Sequence, residues 1–331
     1  MIEKTNNISV VGYGSWATAI VGLLTSNGNT VHWHIRNPEI LESIKQDGIN
    51  PKYLSELELD RRLLDARSDI NEVIEASQTI IFATPSAYLK AFLEPMTASL
   101  EGKFIISATK GLIPDENLTV TEYIHAKYAV PYSHIGIISG PTHAEEVSRG
   151  KMTYLSIATV EDSDACVIEE YIKARHLSIN HTADIYGLEY AGILKNIYAI
   201  AAGMATGLGY GDNALAVLVC KCAEEMERFL NSTKPYERNI SDCAYLGDLL
   251  VTSYSNYSRN RRLGQLIGKG CTVKSALNEM TMIAEGYFAA KGLHIINDRH
   301  HIEMPVADAV YNILYNGAKP RATVKQLLSS F

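Results

Sequence analysis

Residues 8–18 read Ile-Ser-Val-Val-Gly-Tyr-Gly-Ser-Trp-Ala-Thr. Ile8 to Val11 is a short run rich in β-branched residues, and an apolar-periodic segment continues through Leu24, so the stretch reads as strand, glycine turn and helix. The turn has the pattern G-x-G-x-x-A. Gly12 and Gly14 permit a tight turn and let backbone N–H groups at the helix amino end approach a pyrophosphate, while Ala17 is small enough for helix and strand to pack closely. One such match is a weak signal, but its place at the first strand-to-helix turn points to a dinucleotide site.

Outward from this turn, strands are expected at 30–35, 63–66, 78–83, 104–108, 134–138, 154–158 and 177–180, with helices at 38–46, 88–96 and 162–174 between them. The alternation stops near Ala183-Asp184, and the remainder of the chain reads as helices, including 213–231 and 244–254. The expected fold is therefore a doubly wound α/β, Rossmann-like dinucleotide-binding domain over residues 1–184, with an all-α domain over residues 185–331. The charged, irregular connection 48–62 has no task assignable from sequence.

An NAD-preferring fold places an acidic residue near the end of the second strand to bind the ribose hydroxyls. Arg36-Asn37 stands there instead. A guanidinium can pair with a 2′-phosphate, which favours NADP, with NAD as the second cofactor; stacking on the adenine is the other use for Arg36. The strand at 104–108 delivers Thr109-Lys110-Gly111 to the carboxyl edge of the sheet, where a lysine suits an anion or carbonyl contact.

The run 190–211 is apolar enough for a buried helix, and its only charged residue is Lys195. A mid-helix ammonium among Ile193, Leu194, Ile197 and Ile200 is costly unless paired. A salt-bridged core lysine and a catalytic one both answer that cost. Small neighbours on its face, Ala191, Gly192, Ala199 and Ala202, would leave room for a ligand. Asp248, which shares a helix face with Thr252, is a ready partner. Ser258-Arg259-Asn260-Arg261-Arg262 reads either as a solvated basic helix start or as a phosphate clamp.

Composition narrows the classes. The chain has 331 residues, 47% hydrophobic and 20% charged, with a formal net charge of -7 and no strongly basic block, which argues against nucleic acid or an anionic membrane as partner. Lys195-Asn196 and five glycines argue against a membrane span in 190–211. Five cysteines without framework spacing and a polar amino terminus without a targeting signal indicate a cytoplasmic protein. The ten histidines show no metal-ligand spacing, so no metal is expected.

Seven stretches in order carry a family resemblance: 12–18, Thr84-Pro85-Ser86, Ala108-Thr109-Lys110-Gly111, Ser139-Gly140-Pro141-Thr142, Leu194-Lys195-Asn196, Leu246-Gly247-Asp248-Leu249 and Ser258-Arg259-Asn260-Arg261. Together they resemble the bacterial-type NAD(P)-dependent glycerol-3-phosphate dehydrogenases. The resemblance implies a Rossmann-like domain plus a helical domain like the C-terminal domain of 6-phosphogluconate dehydrogenases, as a homodimer. It implies reversible reduction of dihydroxyacetone phosphate to sn-glycerol 3-phosphate, the supply step of phospholipid synthesis. By position, Lys195 is similar to the family's catalytic lysine and Lys110 to its substrate and cofactor lysine, with Asp248 beside them. Gly140, Thr142, Asp248, Ser258, Arg259 and Asn260 match substrate-contacting positions. Gly12, Gly14, Ser15, Trp16, Arg36, Lys110, Ala144, Arg259, Ile283 and Glu285 match cofactor-contacting ones. Leu215, Lys221, His143 and Tyr245 depart from the family's usual residues, which bears on dimer contacts and kinetics more than on the reaction. Two rivals keep the same cleft: a β-hydroxyacid dehydrogenase of the 6-phosphogluconate type, and a non-catalytic NADP sensor.

Overall fold

The computed structural model describes residues 1–2 and 4–331; Glu3, in the polar amino-terminal stretch, lies outside them. Strands β1 (Asn7–Val11), β2 (Thr30–His34), β3 (Leu64–Arg67), β4 (Thr79–Phe82) and β5 (Phe104–Ser107) alternate with helices α1 (Ser15–Ser26), α2 (Pro38–Asp47), α3 (Ile70–Glu75) and α4 (Ser86–Leu93). A short antiparallel hairpin comes next, β6 (Leu112–Ile113) and β7 (Leu118–Thr119). Then come α5 (Val120–Tyr128), β8 (Ile135–Ser139), α6 (Ala144–Ser148), β9 (Thr153–Thr159), α7 (Asp162–Ile172) and β10 (Leu177–Thr182). The strands lie within a few residues of the expected positions. The hairpin, α3 and α5 were not among the expected elements; the two-residue strands of the hairpin are too short to set a period.

Eight strands form one sheet in the order β10-β9-β8-β5-β4-β1-β2-β3. Neighbours pair in parallel except β8 and β9, which are antiparallel. Every residue of β4 and β5 is buried, as near-continuous apolar runs must be when helices cover both faces. Strand order reverses at β1, which has β2 on one side and β4 on the other. In such sheets the crevice beyond the carboxyl ends of those strands receives the ligand.

Two compact units result: Met1–Thr109 with Val120–Ile185, and Lys110–Thr119 with Tyr186–Phe331. The sequence-based division leaves residues 110–119 in the first domain, whereas they cluster with the second. Leu112 shows why: a Cβ on Gly292 would stand 2.7 Å from its Cδ1, so hairpin and helix are in tight contact.

The second unit contains α8 (Ile185–Gly207), α9 (Asp212–Thr233), α10 (Asp248–Tyr254), α11 (Arg259–Gly268), α12 (Val273–Glu279), α13 (Glu285–Asn297), α14 (Pro305–Tyr315) and α15 (Pro320–Ser329). A π-helical turn, Cys243–Gly247, leads into α10. Among the described residues no strand comes after Thr182. Helix α8 is buried from residue 187 to residue 205, as an apolar helix with no polar face must be. It begins and ends several residues earlier than the expected 190–211. Gly203 and Gly264 bring α8 and α11 into backbone contact: a Cβ on Gly203 would lie 2.0 Å from the Arg261 carbonyl oxygen, and one on Gly264 2.1 Å from that of Ile200. Gly286 does the same for α13, where a Cβ would lie 2.4 Å from the Asn196 oxygen.

Candidate active site

Lys195 projects from the middle of α8 and pairs with Asp248, the first residue of α10. The other carboxylate oxygen of Asp248 accepts from Lys110 Nζ at 3.1 Å. One buried carboxylate thus serves two ammonium groups. Asp248 is 1% exposed and the Lys110 side chain 18%, so Lys110 is the most exposed member of the cluster. Thr252 Oγ1 donates to the Asp248 carbonyl at 2.6 Å, one turn along α10. Sequence could not decide whether burial or Asp248 would govern the Lys195 ammonium. Burial does: it is the strongest influence and, opposed by Asp248 and aided by Lys110, lowers the pKa to about 7.

Gly192 does not open the expected space for a ligand. A Cβ there would sit 3.5 Å from Lys110 Cβ and Cγ, so the methylene stem of Lys110 already lies against it. The glycine's role is to let that stem run along α8 toward Asp248.

A chain of amides holds the cluster. Asn196 Nδ2 donates to the Lys110 carbonyl at 3.0 Å, Asn260 Nδ2 donates to Asn196 Oδ1 at 2.8 Å, and the Gly286 N–H donates to Asn260 Oδ1 at 2.9 Å. Asn196 and Asn260 are both buried, so each bond removes a polar group that would otherwise be unsatisfied. Asn196 was missed as a functional position. Its only signal was a polar amide directly after Lys195 in an apolar run.

Helix α11 splits the basic cluster. Ser258 caps it, accepting from the Arg261 N–H at 3.2 Å, and Asn260 faces inward. Arg259 is exposed at the first position and makes no hydrogen bond or ion pair with the described residues. Arg261 and Arg262 lie around the other side of the helix. Ile283 and Glu285, half-buried, flank the start of α13.

The first unit holds the glycine turn. Gly12 has φ +121°, and a Cβ would lie 2.5 Å from the Ala83 carbonyl oxygen, so glycine is required where β1 meets the end of β4. Gly14 caps α1 in extended conformation, with open space at its Cβ position and no side-chain cap hydrogen bond to the first helical N–H groups among the described residues. That is a cradle for an anion. Trp33 Nε1 donates to the Gly12 carbonyl at 2.6 Å, and Asn50 Nδ2 to the Tyr13 carbonyl at 3.0 Å and to Thr18 Oγ1 at 2.9 Å. Asn50 gives the connection 48–62 the task that sequence left open: it braces the turn. Ser15 is buried, and Trp16 carries a buried Nε1 with no hydrogen-bond partner among the described residues. Arg36 lies 3.5 Å over the Phe92 ring and donates to the Ala91 carbonyl at 3.2 Å, leaving one guanidinium face free of Phe92. Gly140 adopts φ +115°, Thr142 Oγ1 donates to its carbonyl at 3.2 Å, and Ala144 begins α6. The residues of this unit fit a dinucleotide.

Of the departures, Leu215 and Tyr245 are buried, Lys221 pairs with Glu224 at 2.8 Å, and His143 is the N-cap of α6. Asp162, Cys166 and His181 gather on the surface, where the two His181 ring nitrogens lie 3.1 and 2.8 Å from carboxylate oxygens of Asp162 and Glu169. No helix among the described residues is long and apolar enough to cross a membrane.

Comparison with known proteins gives the same family at both ends of the chain. The profile of the NAD-dependent glycerol-3-phosphate dehydrogenase N-terminus matches residues 7–165, and that of the C-terminus residues 184–325. The chain is 34% identical to the NAD(P)+ glycerol-3-phosphate dehydrogenase 1 of Salinibacter ruber, over 98% of this chain and 95% of that protein. It is 34% identical to the corresponding enzyme of Exiguobacterium sp., over 97% and 95%. The crystal structure of glycerol-3-phosphate dehydrogenase from Coxiella burnetii superposes with a TM-score of 0.89 at 28% identity, covering 97% of this chain and 98% of that one.

Proposed function

Because the chain belongs to the NAD-dependent glycerol-3-phosphate dehydrogenase family, and is thus an oxidoreductase using NAD or NADP, we propose that Lys195 is its proton donor in the reduction of dihydroxyacetone phosphate to sn-glycerol 3-phosphate. The reduced dinucleotide, when bound, supplies the hydride. The observation that carries the assignment is the buried Lys195–Asp248–Lys110 cluster, whose central ammonium has its pKa brought to about 7. An acid near the working pH can both give and recover a proton, so the same group serves reduction and oxidation.

Each group in the cluster has its own role. Lys195 Nζ donates its proton to the developing alkoxide. Lys110, whose side chain is partly exposed, holds the carbonyl oxygen electrostatically. Asp248 keeps both ammonium groups in place. Arg259 takes the phosphate, assisted by the second Nδ2 proton of Asn260 and by the amino end of α11, and so orients the reacting end. In the first unit, the α1 amino terminus beyond Gly12 and Gly14 takes the pyrophosphate, and Arg36 a 2′-phosphate, which favours NADP. The product would supply phospholipid synthesis in the cytoplasm, consistent with five free cysteines. A homodimer is the proposed assembly; Val217 on α9 and Leu250 and Tyr254 on α10 are exposed apolar residues available to it.

Lys195→Met keeps length and removes the proton. Turnover of dihydroxyacetone phosphate should vanish while NADPH still quenches tryptophan fluorescence. A mutant turning over near the wild-type rate removes Lys195 from the chemistry. Wild type that binds cofactor but reduces no triose phosphate makes the protein a sensor.

A further inference from the structure

A second basic site lies on the side of α11 away from Asn260. Positions 258, 262, 265 and 269 form one stripe along this helix, so Ser258, matched in sequence to a substrate-contacting position, falls on this side with its Oγ bonded to the Arg261 N–H, and Asn260, about 200° round from it, points the other way into the amide chain. The stripe, the end of α10 and the end of α12 enclose a cavity of about 290 Å³. Arg261, Arg262 and Lys269 line it with Ser255 and Asn256, and Glu279 supplies the only acid among the lining residues.

Three features separate this cavity from an ordinary solvated basic face. It is concave. Arg262 and Lys269 are exposed yet make no ion pair with the described residues, although Glu279 lines the same space. Arg261 is held by donation from Nη1 to Asn256 Oδ1 at 3.1 Å, and its Nε is buried with no hydrogen-bond partner among the described residues.

We infer that this cavity is a second anion site, which binds a compact phosphate-bearing molecule separately from the substrate phosphate. Three cations against one carboxylate leave a local charge of +2 within a chain of net charge -7. Two guanidinium groups match the geometry of phosphate oxygens, and Ser255 adds a neutral donor. The volume stands at the lower end of the roughly 300–1,000 Å³ of ligand pockets, which admits a phosphate, pyrophosphate or short phosphate ester and excludes a dinucleotide. Arg259 and Asn260 share α11 with the cavity, so an occupant would bear on the helix that holds the substrate phosphate.

The test is calorimetric titration of inorganic pyrophosphate, with saturating NADPH present to occupy the α1 cradle, into full-length wild type, Arg259→Ala and the double variant Arg262→Ala/Lys269→Ala. Arg259→Ala should retain a binding event, and the double variant should weaken that event at least about tenfold, the loss expected for one charge-assisted contact. Its unfolding midpoint and its kcat/KM without pyrophosphate should stay unchanged. Glu279→Gln, which removes the one opposing charge, should tighten binding. No binding to Arg259→Ala, an unweakened double variant, or Glu279→Gln without effect would each overturn the assignment.

Discussion

Asp248 can be replaced by asparagine to ask how much of the Lys195 acidity is set by one carboxylate. At the 3.1 Å separation of Lys110 and Asp248 and an effective dielectric constant of about 20, a pair of unit charges interacts by about 5 kcal/mol. Lys195 is in closer contact than that, so the figure applies to it at least as well. Retaining half for the residual amide dipole and solvent near Lys110 gives about 2.5 kcal/mol, or about two pK units. Lys195 would fall from about 7 to about 5. In the reduction direction the acid form is required, so kcat/KM is present below the pKa and lost as pH rises through it. At pH 7 the protonated fraction drops from about one half to about one hundredth, a loss of about fifty-fold. Lys110→Met has the opposite sign: it removes a neighbouring positive charge, so the descending limb should move upward while the plateau falls. The assay is the initial rate of NADPH loss with dihydroxyacetone phosphate from about pH 5 to about pH 9. Limbs that stay put, or that move in the same direction in both variants, refute the electrostatic account.

Arg36→Asp should move preference from NADPH toward NADH by at least about tenfold, since it exchanges a charge-assisted phosphate contact for a repulsion; parallel rates with the two cofactors measure it, and indifference discards Arg36 as selector. Asn50→Ala leaves the Tyr13 carbonyl and Thr18 without their brace and should weaken dinucleotide binding by about fivefold to tenfold, at a cost of about 1 kcal/mol, with kcat little changed; a fluorescence titration decides. Glu225, buried and accepting from the Val306 and Ala307 N–H groups at 2.7 and 3.0 Å, has its pKa raised by burial to about 7. Its stabilising contribution is therefore complete below about pH 4.5 and lost as pH rises through about 7, amounting to about 3 kcal/mol. Glu225→Gln should flatten unfolding midpoints across that window, and an unaltered slope would contradict the reading.

What sequence disclosed was whatever one residue type imposes alone. A glycine that must approach Ala83, an ammonium that must find a carboxylate, and strands buried on both faces each leave a mark at their own position. The arrangement around Lys110 left none. Its membership of the second unit depends on a hairpin two residues wide, and the Gly192 surface looks vacant until the methylenes of Lys110 are laid across it. Asn50 and Asn196 were illegible for a similar reason: each acts through carbonyl groups that every residue possesses, so the partner carries no signature. The run 258–262 reads in sequence as a single basic group, either a solvated helix start or a clamp, and only helical rotation divides it into two sides.

The glycine contacts of α8 make a gauge. Because α8 and α11 touch backbone to backbone at Gly203 and Gly264, neither can slide along the other without collision between main-chain atoms. With the proposed acid, Lys195, on one of these rods and the proposed phosphate grip, Arg259, on the other, the span from proton to phosphate would be a fixed length. A ligand one carbon longer cannot be met by adjusting the rods; it must bend or be refused. Discrimination by size is thus written in the absence of a few methyl groups, far from any atom that reacts.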